Sequence, residues 1–154
     1  MSSTASRPDH PVLAALVGDW HGREALAASP WAAAGEADAA LGFRPVAGGR
    51  GLVQEYEQRR DGVVTLEGHG LLTADPDGDG VLWWWLDSIG HPPLQPARGT
   101  AVGDVLTLER TTSRGTNRTT FDLATPGELR QTIAVRLAGE SGFAELVEAT
   151  YRRV

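Results

Sequence analysis

Three consecutive tryptophans, Trp83, Trp84 and Trp85, lie in residues 81–93, which read V-L-W-W-W-L-D-S-I-G-H-P-P. Few local structures accept such a run. A helix is a poor fit for so short a segment held between Asp-Gly and Gly-His-Pro-Pro. In a strand, successive side chains point to opposite faces. Trp83, Trp85, Asp87 and Ile89 then share one face, and Leu82, Trp84, Leu86 and Ser88 the other. A strand with large aromatics on both faces and an acid at its end belongs at the centre of a sheet that is covered on one side. A barrel whose interior these side chains line meets that requirement.

The rest of the chain repeats the same period. Residues 10–18 carry Val12, Leu13, Leu16 and Val17 at helical spacing, with Pro11 at the start and Gly18 at the end, and predict a short helix. From Asp19 onward apolar and polar residues alternate. Strands are expected at 19–28, 35–45, 51–59, 63–73, 81–89, 96–102, 105–112, 116–124, 128–137 and 142–152. Asp61-Gly62, Asp77-Gly78, Gly103-Asp104 and Pro126-Gly127 mark turns between them. Short strands at roughly 8–12-residue spacing indicate a sandwich or a barrel. Hairpin-length connections throughout favour an up-and-down barrel, closed so that no edge is left bare. The expectation is an all-β, about ten-stranded antiparallel barrel with a short N-terminal helix closing one end. A disordered tail is expected over residues 1–9 and a single domain over 10–154.

Composition removes several classes of function. The 154 residues include no cysteine and no lysine, which excludes disulfides, thiolate chemistry and lysine Schiff bases. A formal net charge of -6 argues against nucleic acid as a partner. No apolar stretch reaches the length of a membrane span and no leader is evident, so a cytoplasmic protein with no membrane partner is expected. His10, His21, His69 and His91 show no metal-ligand spacing, and no phosphate loop, dinucleotide fingerprint or nucleophile elbow occurs. Neither metal nor cofactor is expected.

Five stretches carry a resemblance: L-V-G-D-W-H-G-R-E from Leu16, S-P-W from Ser29, L-V-Q-E-Y-E-Q-R-R-D-G from Leu52, G-H-G-L-L-T-A-D-P from Gly68, and W-L-D-S-I-G-H-P-P from Trp85. Together they resemble a bacterial family of unknown function with a lipocalin-like (calycin) barrel, related in fold to nitrobindin-type and fatty-acid-binding-protein-type barrels. The resemblance implies a ten-stranded barrel with an interior cavity, and a Trp20 that packs across its base. It implies no activity. Gly18, Trp20 and Gly22 match the nitrobindin opening, which usually continues to another glycine where this chain has Glu24. The nitrobindin haem histidine comes from the C-terminal part of the barrel, and this chain has no histidine after His91.

The candidate site follows from the faces. Trp83 and Trp85 supply an aromatic wall, Leu72 an apolar neighbour, and Tyr56, His69, Asp87 and His91 the polar groups. Tyr56 shares its face with Gln54 and Gln58. Alternation alone does not orient that strand, and Glu55 takes the place of Tyr56 if the other face is inside. His69 stands between Gly68 and Gly70, and points inward or outward with equal warrant. Asp87 either faces a ligand or holds the turn at 88–90. The expected function is binding of a small apolar or aromatic molecule in the barrel. The alternative is an isomerase, cyclase or dehydratase using His69 and Asp87 as an acid–base pair. A third reading is a homodimer built on Trp31 and an exposed tryptophan face.

Overall fold

The chain reverses where its sequence marks turns. At the Asp61-Gly62 hairpin both residues have positive φ, 50° and 77°, as a two-residue type I′ turn requires. A computed structural model describes residues 8–30, 32–90 and 92–154. A helix, α1 (Pro11–Leu16), precedes ten strands. They are β1 (Gly18–Leu26), β2 (Gly35–Val46), β3 (Gly51–Arg60), β4 (Val63–Ala74), β5 (Val81–Asp87), β6 (Ala97–Val102), β7 (Val105–Thr112), β8 (Gly115–Asp122), β9 (Glu128–Leu137) and β10 (Ala144–Arg153). Each strand pairs with the next, all antiparallel, and β10 pairs with β1 to close the barrel. The fold expected from the alternation is the one observed. The expected tail lies outside the described residues except for Pro8, which is buried, and Asp9.

The two ends of the barrel differ. At one end α1 buries Val12, Leu13 and Leu16 against the core. His10 caps the helix by accepting from the Val12 N–H, and its other ring nitrogen lies 3.0 Å from the Asp79 carbonyl in the β4–β5 turn. Trp20 packs under the helix and donates from Nε1 to the Leu16 carbonyl at 2.9 Å. Arg153 covers the other side of that indole, its guanidinium carbon 4.2 Å from the ring centroid. The same guanidinium donates to the Val17 and Ala15 carbonyls at 2.6 and 2.8 Å, the acceptors a helix end leaves free. Phe43, Leu52, Leu72, Leu106, Phe121 and Leu129 fill the lumen above this plug.

The other end carries the loops at 27–34, 88–96 and 138–143 and the turns at 61–62 and 113–114. Here the β5–β6 ladder is short. Its register runs only through Val81↔Gly99, Leu82↔Arg98 and Trp83↔Ala97. Beyond Trp83, among the described residues, the ladder joins β5 to β4 alone. Trp31 and His91 lie outside the described residues, and with them the dimer contact and the polar group expected there. Among the described residues no helix is long and apolar enough to cross a membrane.

Candidate ligand site

The inner face changes character along the barrel axis, and Trp83 marks the change. Trp83, Trp85 and Asp87 all face the lumen from β5, as their shared face requires, while Leu86 is exposed outside. Ile89 falls beyond the end of β5 and is exposed. The two indoles lie over β4, where the inward residues are Gly68, Gly70 and Leu72. A Cβ on Gly68 would overlap Cζ2 and Cη2 of Trp85. One on Gly70 would stand 2.8 Å from Trp83 Nε1 and 3.3 Å from Trp85 Cε3. The glycines on either side of His69 therefore make room for tryptophan, and the histidine between them points outward. Leu72 is fully buried beneath Trp83, its partner in the β4–β5 register.

The aromatic rings form a continuous rail running from the α1 end of the barrel towards the other. Phe43 meets Phe121 at 6.3 Å between centroids, Phe121 meets Trp83 at 5.9 Å, Trp83 meets Trp85 at 5.4 Å, and Trp85 meets Tyr56 at 5.9 Å. Both indole N–H groups are already bonded within the protein. Trp83 Nε1 donates to Gln54 Oε1 at 3.0 Å, and Trp85 Nε1 to Asp87 Oδ2 at 2.9 Å. The other carboxylate oxygen of Asp87 accepts from the Ile89 N–H at 3.0 Å and so pins the turn after β5. What Trp85 offers to a ligand is its ring face, with Asp87 fixing the ring's orientation.

Facing this rail is a buried carboxyl. Glu24 follows Trp20 and Gly22 along the inner face of β1 and is 3% exposed. Its register neighbours are Ala37 on β2 and Ala149 on β10, small residues that leave it space. Tyr56 OH donates to Glu24 Oε1, and Gln58 Nε2 donates to Oε2 at 3.3 Å and to Tyr56 OH at 3.2 Å. Gln58 Oε1 in turn accepts from Thr65 Oγ1 at 2.9 Å. Burial raises the Glu24 pKa above the usual carboxylate value, outweighing the pull of these two bonds and of the Arg60 charge. Burial, and then the Glu24 charge, push the hydroxyls of Tyr56 and Tyr151 upward as well. Both tyrosines remain neutral donors at any physiological pH. Tyr151 is fully buried, and among the described residues its hydroxyl has no hydrogen-bond partner.

Of the residues singled out by sequence, Tyr56, Leu72, Trp83, Trp85 and Asp87 are brought together in the lumen. His69 is not. It lies on the outer face of β4, exposed, in register with Glu55 and Leu86, so the barrel wall separates it from Asp87 and the expected acid–base pair is not assembled. An external groove of about 550 Å³ includes His69, His21, Glu55 and Glu67 in its walls. Glu55 is bound there to Arg44 at 3.2 Å. None of the described histidines on β1 or β4 faces the lumen, and among the described residues no three His, Asp or Glu side chains converge to hold a metal ion. Sequence reasoning missed Glu24 and Tyr151. Alternation from Trp20 could have placed Glu24 inside; nothing local marks Tyr151, which lies between Leu129 on β9 and Gly22 from the opposite end of the chain.

The model of a family described as proteins of unknown function, DUF1579, matches residues 5–153. No curated protein matches the chain. Among solved structures, Rv2717c from M. tuberculosis is similar at 22% identity with a TM-score of 0.71, over 94% of this chain and 98% of that one. The S-type phycobiliprotein lyase CPES from Guillardia theta is similar at 13% identity with a TM-score of 0.66, over 92% and 90%. At these identities the likeness is one of fold.

Proposed function

The chain belongs to the DUF1579 family of proteins of unknown function, and we propose that its barrel binds a small planar molecule in the polar half of the lumen. The observation that carries this reading is the division of the inner face. Below Trp83 mainly apolar side chains pack the interior, with Gln131 in register with Phe121 and Gln54 bonded to Trp83; above it stand a half-buried aromatic face, Trp85 with Tyr56, and the polar groups Glu24 and Gln58. Apolar walls with a few fixed polar groups are the usual make-up of small-molecule sites. Binding is favoured over catalysis because the inward carboxylates are occupied in positioning: Asp87 holds Trp85, and Glu24 gathers Tyr56 and Gln58. Burying about 200 Å² of apolar ligand surface contributes about 5 kcal/mol. Association costs offset much of that, so the polar contacts set the affinity.

The test is a titration of naphthalene-sized probes followed by quenching of tryptophan emission. Trp85→Ala should weaken binding at least about tenfold, while His69→Ala on the outer face should leave it unchanged. Absence of saturable binding across neutral planar probes would overturn the proposal, as would a loss on His69→Ala with Trp85→Ala unaffected.

A further inference from the structure

The hydroxyl of Tyr151, unpaired among the described residues, and the carboxyl of Glu24 share the inner face of the barrel, where their chemistry can narrow the ligand class. This step rests on the lumen being the ligand site. The two residues are diagonal neighbours across the β1–β10 ladder, where Glu24 stands opposite Ala149 and Tyr151 opposite Gly22. Diagonal inward pairs lie within reach of long side chains. Glu24 only receives hydrogen bonds, one at each oxygen, from Tyr56 and Gln58. A carboxylate offers about four acceptor positions, so acceptor capacity remains. Among the described residues no guanidinium is bonded to it, and Arg60 donates to the Ala33 carbonyl at 2.9 Å. Tyr151 supplies the reverse: a donor, fully buried, with no acceptor. A buried unbonded hydroxyl is costly, and such groups are few in folded proteins.

An acceptor beside an idle donor calls for a ligand edge with a donor beside an acceptor. An anionic group would meet the Glu24 charge. An ammonium group would satisfy Glu24 but leave the phenolic hydrogen of Tyr151 without an acceptor. A lone carbonyl would serve Tyr151 alone. We infer that the site selects planar heterocycles carrying an N–H next to a C=O, such as lactams and cyclic imides. The N–H goes to Glu24, the C=O accepts from Tyr151, and the ring lies against Trp85 and Tyr56.

Three bicyclic planar probes separate this inference from the reading beneath it: 2-quinolone, N-methyl-2-quinolone and naphthalene, each measured by calorimetry against the full chain. In the native protein 2-quinolone should bind at least about tenfold more tightly than its N-methyl form, the scale of one buried hydrogen bond to a charged group. Tyr151→Phe, which removes only an unbonded oxygen, should weaken 2-quinolone by a similar factor and leave naphthalene unchanged. Equal binding of all three probes, or 2-quinolone binding indifferent to Tyr151→Phe, would overturn the lactam inference and leave the planar site standing. Failure of all three to bind would overturn both.

Discussion

Gly68→Ala adds a single methyl group where the indole of Trp85 already sits. The new carbon would overlap Cζ2 and Cη2 and stand 3.1 Å from Cε2. Carbon atoms rest at about 3.5–4.0 Å, so the ring must retreat by about an ångström or more. It is held in place by the 2.9 Å bond to Asp87 and by Trp83 and Tyr56 on either side. Overpacking of this kind costs about 1–3 kcal/mol, and a lost hydrogen bond to a charged group adds about 1.5–3 kcal/mol if the indole leaves Asp87. Replacing a strand glycine returns about 0.5–1 kcal/mol of backbone entropy. The net expectation is a destabilisation of about 1–4 kcal/mol, read as a lower urea midpoint at unchanged slope, with weaker binding of planar probes. The decisive comparison places Gly68→Ala in a Trp85→Ala background. With the indole gone the same methyl should be neutral or stabilising by up to about 1 kcal/mol. An equal loss in both backgrounds would refute the argument, because the glycine would then serve the backbone and not the ring. Gly142→Ala, which has nothing within 4 Å of its added carbon, is the control.

Tyr151→Phe removes a buried hydroxyl with no partner among the described residues, and the unfolding free energy from urea titration should stay level or rise by up to about 1 kcal/mol; a marked fall would mean the hydroxyl is bonded. Glu24 has its folded-state pKa raised by burial, so the folded chain holds that proton more tightly than the unfolded chain, and ionising it costs stability. The penalty is absent below the unfolded value of about 4.3, grows as pH rises, and is complete above the folded value. Urea unfolding of Glu24→Gln against the native chain should therefore shift in favour of the variant from pH 4 to pH 8, and a difference independent of pH would contradict the account. Arg153→Ala forfeits the contact on Trp20 and two bonds to carbonyls at the end of α1, a loss of about 1–2 kcal/mol. Faster amide exchange in residues 11–17 should accompany it, and Arg153→Lys should not restore protection because an ammonium group cannot span both carbonyls.

The strand order and the strand boundaries, to within about two residues, were legible in the sequence because most turns carry glycine, aspartate or proline and the period of two is broken only near Gln58–Arg59 and Glu145–Val147 among the described residues. The site was legible in part. That Trp83, Trp85 and Asp87 share a face follows from alternation alone, but which of two faces is the inside depends on neighbouring strands. The 68–70 segment shows the difficulty. Glycine, histidine, glycine suggests a histidine given room to turn inward, yet the space belongs to indoles from β5, whose lean along the sheet no single strand reveals. Asp87 holds the turn after β5, one of its two anticipated roles, and does so from the inner face, where it also accepts from Trp85. Glu24 stood out only as a departure from the resembling family's pattern. Tyr151 joins Glu24 across a ladder between the two ends of the chain, and such contacts leave no mark on local composition.

That same ladder governs the order in which the molecule can be completed. Because β1 pairs with β10, the ring stays open during synthesis until the last strand has left the ribosome. A nascent chain of nine strands presents two bare edges, one on β1 and one on β9, and bare edges invite pairing with other chains. On β1 it also presents Glu24 before Ala149 and Tyr151 have arrived beside it. The final hydrogen-bonded seam thus ends the period of exposure and assembles the Glu24–Tyr151 pair in one event. A chain halted before β10 would have neither a sealed sheet nor the Glu24–Tyr151 pair.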